Sequence, residues 1–362
     1  MGEEPGYEST GDEEEEWDAY SLEDIKEEEE YVDVGRESYS RIEVDLYKTK
    51  LHGATIGIRQ KDQYMSKSRQ FTSNMEVKGE IKFFYGYEQK KERDGYTEVL
   101  AINEYFWETD KDSKLFERAK NSYKDYDPKE YSKIMRKLII KTFIGLDKEN
   151  ETNKGKWTGS IEESQVMSLA MTFGEKDPLP FFWINMPGYK YRIPIFRTHA
   201  TIGERYVFPL IDEETGKVDV YYIEGKRFTP GSDFEVKNAA TMEKVAWVDD
   251  RTGNIGGKVD IQLFEENDDL NRRRSFVRIL ILFAGASKYF HDLYKDYNKI
   301  FESMSAQEQY KRDVKRKTDR GGDIAEVNEK YRKAMEKLAF LKDYQVSGYE
   351  LSLHYNPRRV RT

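Results

Sequence analysis

Two groups of cations are the densest chemistry-bearing clusters in this sequence. Arg272, Arg273 and Arg274 stand in a row, with Arg278 one helical turn further on. Lys311, Arg312, Lys315, Arg316 and Lys317 form the second group, followed by Arg320. Guanidinium and ammonium groups at this density meet the phosphates of lipid or nucleic acid. The triplet and the five residues of the second group are therefore the candidate anion- or lipid-binding residues. A competing account exists for the triplet. Cations at the start of a helix oppose its dipole, so these arginines need a partner. The acidic residues 265–269 just before them could serve.

Other chemistry finds little support. A phosphate-binding loop needs Gly-Lys followed by Ser or Thr. The Gly-Lys pairs that begin at Gly155, Gly216, Gly225 and Gly257 are followed by Trp157, Val218, Arg227 and Val259. There is no His-Glu-x-x-His zinc motif and no Gly-x-Ser-x-Gly nucleophile elbow. Asp249, Asp250 and Asn254, or Asp268 and Asp269, could recruit calcium, but the EF-hand spacing is missing and polar turns account for them better. The chain has no cysteine, which removes disulfides, thiolate metal sites and cysteine nucleophiles. His199 and His291 lack partners nearby in sequence. Neither a catalytic residue, a metal nor a cofactor is expected.

Charge is unevenly divided. The net charge is −9. Residues 1–35 hold sixteen acidic side chains and one basic one, Lys26, for a net of −15 and leaving +6 for the rest. With so few large apolar groups, this segment is expected to be a disordered acidic tail. It could screen the basic body, bind a basic partner, or simply aid solubility. No signal peptide or membrane span is evident, which points to the cytoplasm.

The elements that would position the cations follow from periodicity. Residues 41–48 alternate Ile42, Val44 and Leu46 with polar residues, a strand pattern. Residues 54–58, 76–87 and 96–107 continue it as an antiparallel meander. A helical insertion is expected over 113–145, as two helices at 113–123 and from Pro128 to about Phe143. A strand is expected at 164–173. Residues 177–188, broken by three prolines, read as a core-covering loop. From 189 to 266, short strands with turn signals about every 8–12 residues indicate a barrel or sandwich. Residues 273–290 are the most apolar run, too short for the roughly 20 residues of a bilayer span. They predict a buried helix over about 275–301, with Ser275 at its N-cap. Beyond it, 302–362 is expected as an appendage. It comprises a charged helix over 305–318, a break at Gly321-Gly322, a second helix capped by Asp323, and a strand at 345–355.

The order of these pieces carries a resemblance. An Asp-Glu-x-x-Gly turn (from Asp212) leads to Val-Tyr-Tyr-Ile-Glu-Gly-Lys (from Val220), then Pro-Gly, Phe-Glu-Val, Val-Ala-Trp-Val and Val-Asp-Ile, with the apolar helix last. Over about 189–292 this resembles the tubby C-terminal-like superfamily, in its LURP-one-related and phospholipid scramblase-like branches. The resemblance implies a closed barrel threaded by a hydrophobic helix, and a relative of proteins that bind phosphoinositides or act on lipids. The helical insertion and the roughly 60 residues after the helix depart from that pattern.

The expected fold is α+β, a β-rich antiparallel barrel or sandwich spanning 40–301 and enclosing the helix. The expected function is that of a non-enzymatic, tubby-like binding or scaffold protein, peripheral to membranes, with anionic phospholipid or a protein as partner and no specific nucleic acid. A structural assembly protein and an enzyme of unknown class are the alternatives.

Overall fold

The computed structural model describes residues 38–46, 76–86, 91–92, 98–103, 114–127, 138–144, 156–172, 177–200, 203–212, 215–225, 233–250 and 257–346. Its strands are β1 (Tyr39–Leu46), β2 (Glu76–Tyr85), β3 (Lys91–Glu92), β4 (Glu98–Asn103), β5 (Ile139–Ile144), β6 (Lys156–Glu163) and β7 (Phe181–Asn185). They continue as β8 (Ile193–Thr198), β9 (Arg205–Ile211), β10 (Val218–Gly225), β11 (Phe234–Asn238), β12 (Lys244–Asp250) and β13 (Lys258–Leu263). Helix α1 (Lys114–Ser122) precedes β5, and α2 (Gln165–Thr172) precedes β7. After β13 come α3 (Asp268–Asn271), α4 (Arg274–Ser287), α5 (Phe290–Asp319) and α6 (Ala325–Val346).

The fold is α+β: one antiparallel sheet with helices at the C-terminal end of the chain. Sheet order runs β1-β13-β12-β11-β10-β9-β8-β7-β6-β5-β4-β2-β3, and β1 also bonds to β2. On one side of β1, Ile42 lies opposite Ile261 and Val44 opposite Val259. On the other, Ile42 lies opposite Phe83 and Val44 opposite Ile81. The described strands β1 to β4 and β8 to β13 therefore belong to the same sheet. Alternation decides which face is buried. On β10, Tyr221 and Ile223 are buried, whereas Val218 and Val220 are exposed.

The core face of the sheet packs on α4. Twelve of its fourteen residues are buried, from Ser275 to Ser287 apart from Arg278. Phe276 meets Phe208 and Tyr221, and Phe283 meets Tyr206 and Phe234. On another flank the stem of Arg278 crosses Gly159 of β6, where an added Cβ would lie 2.9 Å from Arg278 Cγ. The Arg278 guanidinium donates to Thr142 Oγ1 of β5 at 3.3 Å.

Several expectations are corrected. Residues 139–144 form a strand, so the second helix of the expected insertion does not extend through Phe143. Its other residues, 128–137, lie outside the described residues. Residues 165–172 are helical, where a strand was expected. The Ser168 hydroxyl donates to Ser164 O at 2.7 Å within that turn. The proline-broken segment contains strand β7, because Pro178 and Pro180 precede it and Pro187 follows it. The apolar helix is two helices: α4 ends at Ser287 and α5 starts at Phe290. Tyr289 N bonds to Ala286 O at 2.9 Å, a tightened turn that redirects the chain. Its N-cap is Arg273, with Ser275 buried inside the first turn. Of the expected strand 345–355, Gln345 and Val346 belong to α6 and the remainder lies outside the described residues, as do 1–35, 54–58 and 104–107.

Candidate anion-binding surface

The arginine triplet sits at the turn into α4. Arg272 pairs with Asp268 at 2.7 Å, one turn back in sequence. The carboxyl of Asp268 lies below its ordinary range, held there first by a hydrogen bond from Ser38 and then by Arg272, against the opposing effect of burial. Arg273 reaches Asp212 in the β9–β10 turn at 3.5 Å. Arg274 is exposed. Two of the three arginines thus have carboxylate partners within the chain, which offsets their unfavourable place at a helix start.

The second group is arranged differently. All five of its cations lie on α5, in the part that runs alongside α6. Tyr310 donates to Asn328 at 2.9 Å, Asp313 accepts from Tyr331 at 2.7 Å, and Lys317 pairs with Glu326 at 3.2 Å. Positions 310, 313 and 317 follow helical spacing and mark the face turned to α6. Arg312, Lys315 and Arg316 fall on the opposite face, and all three are exposed. Arg316 pairs with Asp313 at 3.2 Å, and Lys311 with Glu308 at 2.7 Å. Arg312 and Lys315 have no ion-pair partner among the described residues. Cations in the last turns of a helix also favour its dipole, which helps explain why they gather here. The Asp313 carboxyl is held below its usual range by Tyr331 and Lys330, so it stays charged at neutral pH.

The two groups do not form one site. Arg312 lies about 33 Å along α5 from Phe290, at 1.5 Å per residue. The triplet lies before α4, at the far end of that helix from α5. Of the eight candidate residues, Arg312, Lys315 and Arg316 make a shared exposed face. Lys311 borders it, Lys317 turns inward to α6, and the triplet stands apart.

One polar network escaped the sequence reading. Tyr206 of β9 and Tyr294 of α5 join their hydroxyls, and Tyr294 also donates to Glu204 at 3.2 Å. Arg197 of β8 lies 3.6 Å from Glu204 and stacks its guanidinium 4.9 Å from the Tyr294 ring centre. Burial pushes both phenols above their ordinary range, with the Glu204 carboxylate adding to it. One turn further, Tyr297 donates to the buried Glu163, which also accepts from Leu138 N at 2.9 Å. The i, i+3 pair Tyr294 and Tyr297 therefore fastens the start of α5 to the sheet. Its signal was present in the inward alternation of Arg197 and Tyr206, yet the carboxylates were too numerous in sequence to single out Glu163 or Glu204.

Among the described residues, no group of three or more His, Asp or Glu side chains is placed to hold a metal. Asp249 lies in β12, and Asp268 is taken up by Arg272 and Ser38. No described helix is long and apolar enough to cross a membrane. No family model, no curated protein and no solved structure matches this chain.

Proposed function

We propose that this chain is a non-enzymatic binding protein of tubby-like build that presents the outer face of α5 to anionic phospholipid. The observation that carries this reading is the exposed trio Arg312, Lys315 and Arg316 on the side of α5 turned away from α6. Each cation near an anionic leaflet contributes about 1 kcal/mol of attraction, falling off within a Debye length. In this reading the sheet closes through the double pairing of β1 and encloses α4 as a barrel. The side chains of Phe276, Ile279, Leu280 and Phe283 then fill its interior, and binding is left to the outside.

The test is co-sedimentation of the full chain with neutral and anionic vesicles at two salt concentrations. Binding to anionic vesicles alone, weakened at least tenfold in R312E/K315E/R316E and by added salt, is the expected result. Equal binding by the variant and the parent, or none by either, overturns the reading.

A second reading, assembly with other protein chains, has its own observation. Val218 and Val220 project from the outer face of β10 at 53% and 36% exposure, beside Ile211 and Pro209 of β9. Reversible oligomers in sedimentation velocity, lost in V218D/V220D, would favour it.

A further inference from the structure

We infer that the acidic run Glu13–Glu16 binds back onto the Arg312, Lys315 and Arg316 face of α5 and competes there with outside anions. The inference uses the same face as the proposed function but does not require lipid to be its ligand.

The first argument is charge. Residues 12–18 hold six carboxylates and no cation. The α5 face offers three exposed cations within two turns. Its two acids are already engaged or peripheral: Glu308 pairs with Lys311, and Asp319 is the last residue of the helix. Lys315 and Arg312 form no close ion pair among the described residues, although Arg312 acts at longer range on Glu308, so a carboxylate run gains their attraction without displacing a close pair.

The second argument is reach. The described chain begins at Ser38, which bonds to Asp268 beside the start of α4. Arg312 lies toward the other end of α4, separated by the sheet and by part of α5. The sheet adds about 26 Å for an eight-residue strand, and α5 adds about 33 Å to Arg312. The span is therefore at most about 60 Å. Glu16 lies 22 residues before Ser38, and at ~3.4 Å per residue that chain extends to about 75 Å. The far end of the second acidic run, Glu27, lies eleven residues before Ser38 and extends about 37 Å from it. Reach thus admits the first run, whose six carboxylates exceed the four of Glu27–Glu30, and the second run serves as an internal control.

Such a contact is a competitive guard. Because both sides are exposed, it weakens as salt shortens the screening length from about 10 Å at 0.1 M to about 3 Å at 1 M. An anionic surface dense enough to outbid six carboxylates displaces it.

The test is zero-length carbodiimide coupling on the full chain, which joins a lysine amine to a carboxylate in direct contact, followed by peptide mapping. Expected is an amide between Lys315 or Lys311 and a glutamate of 13–16, formed at low salt and lost at about 1 M salt. A mixture of isotopically light and heavy chains should show it within single chains. Glu13–Glu16 changed to Gln should abolish it, and Glu27–Glu30 changed to Gln should leave it. Coupling of α5 to another segment only, or coupling only between light and heavy chains, overturns the inference. Vesicle binding by the same variants separates this inference from the proposed function. If the amide forms but no variant binds anionic vesicles, the contact stands and the lipid reading falls. If vesicles bind but no amide forms, and Glu13–Glu16 to Gln leaves affinity unchanged rather than raising it severalfold, the guard falls alone.

Discussion

Single residues already separate what the molecule needs for its shape from what it leaves for binding. Gly159 is a case of shape. Its missing Cβ makes room for the stem of Arg278, with Leu282 close behind at 3.4 Å. Overpacking at such a point costs about 1–3 kcal/mol. Gly159→Ala should lower stability by that order, and much less in an Arg278→Ala background, because the two sites share one gap. Denaturant unfolding of the four-member cycle checks it, and additive effects would show that the gap does not matter. Tyr221 gives a pH signature. Burial, and secondarily Asp219, push its phenol up to about 12, against a lowering by Arg273 and Asn238. The folded state therefore holds this proton more tightly than the unfolded chain, whose phenol titrates near 10. Its contribution is complete below about pH 10 and is lost as pH rises towards 12. Tyr221→Phe should flatten that alkaline decline in stability; an unchanged slope would place the dependence on other groups. Glu163 and Glu204 were invisible as special residues in sequence, since one carboxylate among many carries no mark of its surroundings.

At the scale of elements, α4 dominates because it is apolar on nearly every side. A helix of that kind is stable only where protein surrounds it. Phe283 touches Tyr206, Phe234 and Phe290 at once. Phe283→Ala should cost about 3–5 kcal/mol, read as a shift in the unfolding midpoint, whereas Ile324→Ala at the exposed α5–α6 turn should cost under about 0.5 kcal/mol. Comparable losses at both positions would contradict the central place given to α4. The strands β8 to β13 were legible because they are short runs rich in β-branched and aromatic residues, separated by turns that hold Gly or Asp. β5 was not. Ile134, Met135, Leu138, Ile139 and Phe143 fit a helical stripe as well as a strand, and pairing with β4 and β6 decided the outcome. In α2 the reverse happened: Met167, Leu169 and Met171 alternate over a stretch too short to show a helical period, and hydrogen bonds from Ser168 and Thr172 back along the turn favour the helix. β7 was hidden by its flanking prolines, which bar a strand only from positions whose N–H must bond.

At the scale of the whole molecule, an apolar face of the sheet packed on α4 is joined to a charged opposite face. The sheet face turned away from α4 carries ladders of ion pairs, such as Arg205–Glu224–Lys237–Glu235. Burial pushes the Glu224 carboxyl up, but its hydrogen bonds from Lys237 and Arg205 outweigh that and hold it below its ordinary range. The cationic groups were plain in sequence, but their different fates were not. Spacing alone could not show that Asp212, some sixty residues away, would claim Arg273 while Arg312 and Lys315 stayed open. Everything proposed for the surface depends on the interior being closed. Native-state amide hydrogen exchange of residues 274–287 measures that most directly. An α4 enclosed by the sheet exchanges only when the whole fold opens, with protection equal to the global unfolding free energy and matching that of β1, β2 and β13. Exchange of α4 through a separate, lower-energy opening, while the strands stay protected, would contradict enclosure and return the interior to consideration as a binding site.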